Sequence, residues 1–141
     1  MQVHDKIYID GAWVPSTGSG TIDVHDSSDG SVIAQIPDGS AADVDKAVQA
    51  AKAAFETWST TPPAERAKFC TRIGEGLAAR MDEIATVVTR EAGMPKWLSS
   101  IIQAGLPINS FNTAAQVAEN FAYEEQLGNS LVVKEPVGVV G

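Results

Sequence analysis

The chain has 141 residues, 44% hydrophobic and 20% charged, with a formal net charge of −8. That balance excludes a disordered chain, and the scattered Lys and Arg exclude the clustered basic face that nucleic acid or an anionic membrane requires. One cysteine, Cys70, excludes an intrachain disulfide and a cysteine-based metal cluster.

The first third of the chain predicts β structure. Residues 6–14, KIYIDGAWV, place two short apolar runs around Asp10-Gly11, a pair suited to the positive φ angles of a type I′ hairpin turn. After the loop PSTGSG at 15–20, Ile22 and Val24 alternate with polar residues. Residues 26–30 make a longer turn, and Val32, Ile33 and Ile36 complete a second antiparallel hairpin.

From Ser40 the apolar period changes from two to about 3.6. Ser40 and Asp43 have the spacing of a capping box. Val44, Ala47, Val48, Ala51, Phe55 and Trp58 then share one face of a first helix. Residues 59–63 break it. Thr61 is the expected cap of a second helix, in which Pro62 and Pro63 are tolerated because first-turn N–H groups lack intrahelical partners. Phe69, Cys70, Ile73 and Leu77 form its stripe, and Gly74 and Gly76 suggest close approach of a neighbouring backbone.

A third helix starts at Asp82, with Ile84, Val87, Val88 and Met81 inward, and ends at Gly93 and Pro95. A fourth helical region spans 97–123. Pro107 predicts a kink or break near 104–107, followed by a stripe of Phe111, Ala114, Ala115, Ala118 and Phe121 or Ala122. Residues 127–134, LGNSLVVK, read as a turn and a strand. After Glu135-Pro136, Val137, Val139 and Val140 suggest a last buried strand, which must pair with strands not otherwise visible. The order is two hairpins, four helices and two strands, a mixed α/β fold.

Chemistry is harder to find. Cys70 sits on an apolar stripe and reads as a buried, inert thiol. His4 and His25 lack metal-ligand spacing. Glu124-Glu125 reads as a solvated helix end, and Asp43 and Asp45 suit a helix start. Neither Gly18-Ser19-Gly20 nor the stretch from Gly138 to Gly141 matches a phosphate-binding pattern. Trp13, Trp58 and Trp97 read as core or interface anchors. The residues thus offer no catalytic, cofactor-binding or metal-ligating group. With no apolar run near the ~18 residues of a membrane span and no signal peptide in MQVHDKIYIDG, a cytoplasmic location follows as an expectation.

Five stretches in order resemble the N-terminal part of the NAD(P)-dependent aldehyde dehydrogenase superfamily. They are IYIDGAWV (7–14), the run DSSDGSVIAQIPDG through AFETWS (26–59), PPAERAKFCTRIGEGL (62–77), REAGMP (90–95) and KEPVGVVG (134–141). REAGMP differs from the commoner Glu-Thr-Gly-Lys-Pro form, a matter of subfamily. The resemblance implies an oxidoreductase that converts an aldehyde to a carboxylic acid with NAD or NADP. The steps are thiohemiacetal formation, hydride transfer and thioester hydrolysis. It implies that the run ending at Gly141 leads into the first strand of a Rossmann-type sheet, here incomplete. The family's oxyanion-stabilising Asn, general-base Glu and thiol nucleophile lie beyond it. Cys70 does not match the nucleophile motif.

The resemblance therefore implies a division into three parts. Residues 1–127 would be hairpins and helices of the cofactor-binding domain, 128–135 a strand or linker of the oligomerisation type, and 136–141 the truncated first Rossmann-type strand. It also places the fourth helical region beside the substrate entrance. As an N-terminal fragment the chain would be inactive and bind no cofactor. Apolar faces around Phe55, Trp58, Leu77 and Val88 should be exposed, so a homo-oligomer is expected. The alternative is a non-catalytic oligomerisation or binding module.

Overall fold

A computed structural model describes residues 2–141, and its first forty residues form two interleaved β units. Strands β2 (Lys6–Ile9) and β3 (Ala12–Pro15) pair antiparallel with Ile9 opposite Ala12. Asp10 and Gly11 both take positive φ, 53° and 76°, as the type I′ turn demands. Tyr8 and Trp13 face each other across this hairpin, rings edge-to-face at 5.3 Å. Strands β4 (Gly20–His25) and β5 (Val32–Asp38) form the second hairpin, with an irregular register between Val24 and His25. The sequence did not announce β1 (Gln2–Val3), which pairs parallel to the other side of β5. Two residues are too few to show a period.

Helix α1 (Ala41–Trp58) begins with the expected capping box between Ser40 and Asp43. Its apolar stripe is largely uncovered: Val44 is 61% and Trp58 46% exposed, while Val48 and Phe55 are half-buried. The helix leans on the rest of the chain mainly through β2.

Helix α2 (Pro63–Ala79) corrects two expectations. Thr61 does not cap it, because its hydroxyl donates back to Thr57 O and Pro62 stands at the cap without a side-chain bond. The packed face also differs from the predicted one. Ala67 and Gly74 are buried, whereas Phe69 and Ile73 are exposed. The cause is α5 (Leu106–Asn120), whose close approach selects the small residues of α2. A Cβ built on Gly74 would lie 2.7 Å from Asn112 Oδ1 and 3.5 Å from Ile108 O, so this glycine permits the contact as anticipated. Gly76 faces open space instead.

Helix α3 (Met81–Ala92) ends at Gly93 in the left-handed region, φ 69°, as expected. The single turn α4 (Lys96–Leu98) runs into a π-helical segment, Ser99–Gly105, and then into α5. The expected break near 104–107 is therefore a change of winding. Pro107 is the second residue of α5, directly after the π-helical segment, and the coil continues through it. The helix stops at Asn120, short of 123, and Phe121 is extended. The fully buried apolar residues are Ala67, Ala85, Ala104 and Ala115, and the buried Ser99 hydroxyl accepts from Thr89 Oγ1 at 3.0 Å.

A further correction falls near the end of the chain. Glu124 and Glu125 begin strand β6 (Glu124–Leu127), which pairs with β7 (Ser130–Val133); they do not end a helix. Residues 137–140 form no strand and pair with nothing among the described residues, and Val137 and Val140 are 92% and 79% exposed. Their backbone groups find no ladder among the described residues, and a strand forms there only where partner strands supply one.

Candidate functional site

Two carboxylates tie the β layer to the helices. Asp43, the N3 residue of α1, is 4% exposed. It accepts from Ser16 Oγ (2.7 Å), Thr17 N (3.0 Å), Thr17 Oγ1 (2.8 Å) and Ser40 N (3.0 Å). The Ser16 hydroxyl, then the Ser40 and Thr17 donors, hold its carboxyl far below the usual carboxylate range. Its charge also sits at the positive end of the α1 dipole. Sequence spacing announced the Ser40 partner, but not Ser16 and Thr17, which come from a loop more than twenty residues away.

Asp26 performs the second tie. It accepts from Ser28 Oγ (2.6 Å), Ser28 N (3.0 Å) and Arg90 Nε (2.9 Å). Alongside, Ser27 N donates to Arg90 O at 2.8 Å and Ser27 Oγ donates to Glu91 O. The turn at 26–30 is thereby fixed to the C-terminal end of α3. The Ser28 hydroxyl, followed by Arg90, lowers the Asp26 carboxyl from 3.8 to about 2.

Because the folded value lies below the unfolded one, this tie stabilises the fold fully above the unfolded value of 3.8 and fades as pH falls through about 2. We expect amide exchange in the 26–30 turn to accelerate over that window while the α2–α5 contact stays protected. In Asp26→Asn the acceleration should already be present at neutral pH. Protection of the turn that does not change with pH would contradict the assignment.

Both carboxylates have their oxygens engaged by donors within the fold, so neither is available as a general base. Among the described residues, every buried side-chain nitrogen and oxygen has a hydrogen-bond partner, and no three His, Cys, Asp or Glu side chains converge as metal ligands. Cys70 is half-buried, one turn from Ala67 and from Gly74 on the face toward α5. His25 Nδ1 lies 3.0 Å from Gly30 O; a carbonyl only accepts, so this nitrogen donates and serves the turn. His4 lies in the connector from β1 to β2, and its N–H donates to Gln35 O. The structure brings neither histidine to the helix that carries Cys70. Trp13 pairs with Tyr8, Trp58 with Phe69 at 5.4 Å, and Trp97 is 66% exposed.

Beyond these ties the described residues present open surface. An open groove of about 260 Å³ runs between α1 and the chain end, lined by Ala51, Ala54, Phe55, Trp58, Gly138, Val139 and Val140. Val139 and Val140 thus face Phe55 and Trp58 of α1 across an open groove. No helix among the described residues is long and apolar enough to cross a membrane.

Comparison with known proteins gives this surface a context. The profile of the aldehyde dehydrogenase family matches residues 13–141. A Staphylococcus aureus (strain bovine RF122 / ET3-1) protein provisionally named an aldehyde dehydrogenase is 37% identical over all 141 residues, which are 30% of its own length. An aldehyde dehydrogenase of Mycobacterium tuberculosis, solved with NAD+, is similar at a TM-score of 0.89 and 32% identity, over 96% of this chain and 29% of that one. Aldehyde dehydrogenase C of Pseudomonas syringae, a mutant solved with NAD+ and octanal, gives 0.87 and 33% over 90% of this chain and 26% of that one. The chain therefore spans under a third of the length of these relatives. On the profile match and these high-scoring structural likenesses, the chain belongs to the aldehyde dehydrogenase family.

Proposed function

We propose that these 141 residues serve within a larger NAD(P)-dependent aldehyde dehydrogenase that oxidises an aldehyde to a carboxylic acid, and supply a packing frame rather than its reactive groups. One observation carries the reading. Among the described residues the buried apolar side chains are four alanines, while Trp58, Phe69, Ile73, Val87 and Trp97 stay exposed. Burial of large apolar side chains is the main favourable term in folding, and here it is left for other structure to supply.

The residues present do not by themselves fit a dinucleotide. Its phosphates call for backbone N–H groups at a helix start. Neither Gly18-Ser19-Gly20 nor the stretch from Gly138 to Gly141 has the spacing of a phosphate-binding loop. We assign catalytic, cofactor and metal residues to none of these positions, Cys70 included. We place 136–141 at the entry to the dinucleotide-binding sheet. The oligomerisation part begins in our reading at Glu124, ahead of 128, because β6 and β7 form one hairpin. A homo-oligomer in the cytoplasm accords with the exposed apolar faces and the single cysteine.

Thermal-shift titration of the chain with NAD+ and NADP+ tests this. The expected result is no shift with either, since a ligand that does not bind the native state does not stabilise it. A saturable rise in melting temperature would overturn the assignment of no cofactor residues. The second reading, a non-catalytic assembly module, draws on the exposed β6–β7 hairpin. Both readings predict self-association, and a dilution-stable monomer by sedimentation velocity would remove that element from each.

A further inference from the structure

The β6–β7 hairpin raises a question of support. Two strands alone are marginally stable in water. Every residue of both strands is exposed, and neither strand packs broadly on a helix. What holds the hairpin lies at its root. Lys134 N donates to Tyr123 O at 2.9 Å and Lys134 Nζ to Ala122 O at 3.2 Å. Phe121 and Tyr123 stack edge-to-face at 5.0 Å, with the Lys134 ammonium 5.2 Å from the centre of the Phe121 ring. These contacts are local to the hairpin and the connector that leads into it.

The tie to the helical body comes from Arg66 on α2. Its guanidinium lies 5.5 Å from the centre of the Tyr123 ring, and Nη1 donates to Thr61 O at 2.7 Å. Arg66 and Tyr123 are both half-buried, and Arg66 has no carboxylate within ion-pair distance among the described residues. Its charge is met by a ring face and a carbonyl. The bond to Thr61 O fixes the guanidinium relative to the turn between α1 and α2, so the stacked ring is fixed as well. A cleft of about 470 Å³ stays open between that turn and the hairpin, with Trp58, Arg66 and Tyr123 among its walls.

We propose that Arg66 is the positioning residue of the β6–β7 hairpin: stacked on Tyr123 and anchored to Thr61 O, it sets the angle between the hairpin and α2. A hairpin held at one angle presents its edges in a fixed geometry, whereas an untethered one must be ordered by whatever binds it. The inference stands whether or not the larger protein has the proposed activity.

Amide exchange by NMR on the whole chain tests it. In Arg66→Met, exchange at Glu125 and Val132, a hydrogen-bonded pair of the ladder, should accelerate roughly threefold to fivefold, the weight of one partly exposed cation–π contact, with Ala115 and Leu77 unchanged. Arg66→Lys, which keeps the cation, should recover part of the protection. Tyr123→Phe should match the wild type and Tyr123→Leu should match Arg66→Met. Unchanged hairpin exchange in both Arg66→Met and Tyr123→Leu would overturn the proposal, as would a uniform acceleration across α2, α5 and the hairpin. Should Arg66→Met fail to fold, Tyr123→Leu carries the test from outside the helical body.

Discussion

Asp43→Ala should lower the melting temperature by roughly 5–10 °C, the largest effect of any single polar substitution in this chain. The substitution removes both halves of one device. It strips α1 of its capping-box partner, and it leaves Thr17 N and Ser40 N without the acceptor they share. Thr17 is exposed and Ser40 half-buried, so water replaces part of that acceptor and the cost is chiefly the lost cap and the lost tie to the loop. Loop 16–19 would lose its hold on the helix, and α1 has little else to keep it in place, since its apolar stripe is uncovered. Circular dichroism should show a lower midpoint with a small loss of helix before the main transition. Asp43→Asn should fall between, because it retains one carbonyl acceptor. A melting curve identical to the wild type would refute the importance given to this carboxylate.

Gly74→Leu should destabilise the fold by about 1–3 kcal/mol, by overpacking. At this position a Cβ would meet Asn112 Oδ1 at 2.7 Å and would already be in ordinary contact with the Ile108 carbonyl at 3.5 Å, so a longer side chain has no free space on that side. Asn112 can swing aside, so Gly74→Ala should be nearly neutral. The Ile108 carbonyl is backbone and cannot move without shifting α5. The control is two residues away: Gly76 has nothing within 4 Å of a built Cβ, and Gly76→Ala should stabilise by about 0.5–1 kcal/mol through helix propensity alone. Urea denaturation of the two variants should move midpoints in opposite directions. Equal shifts would mean that the α2–α5 approach is looser than described.

The sequence made local features legible and left most distant ones hidden. Asp10-Gly11, the Ser40–Asp43 box and the Gly93 cap each depend on residues a few positions apart, and each stands in the structure. The choice of buried face on α2 was not legible, because it depends on α5, and a helix approached closely buries Ala67 and Gly74 rather than Phe69 and Ile73. The ties from Ser16 and Thr17 to Asp43 cross 27 and 26 residues of chain, the tie from Arg90 to Asp26 crosses 64, and no spacing rule reaches that far. The strand at 124–127 was concealed by its charged residues. Glu124 and Glu125 suit a solvated helix end as well as an exposed hairpin, and composition does not separate the two. The resemblance carried by stretches between 7 and 141 agrees with the family match over 13–141.

The π-helical segment Ser99–Gly105 has a consequence for how this region tolerates change in length. Each of its turns closes with one more residue than an α-turn takes. Losing a single residue there could be absorbed by tightening the coil, leaving α3 and α5 seated where they are. The same loss from the middle of α5 would swing every later side chain by about 100° around the axis and pull Ala115 away from its neighbours. Of these two stretches, only the wide-wound one contains a spare residue, so insertions and deletions within 96–120 should concentrate at 99–105.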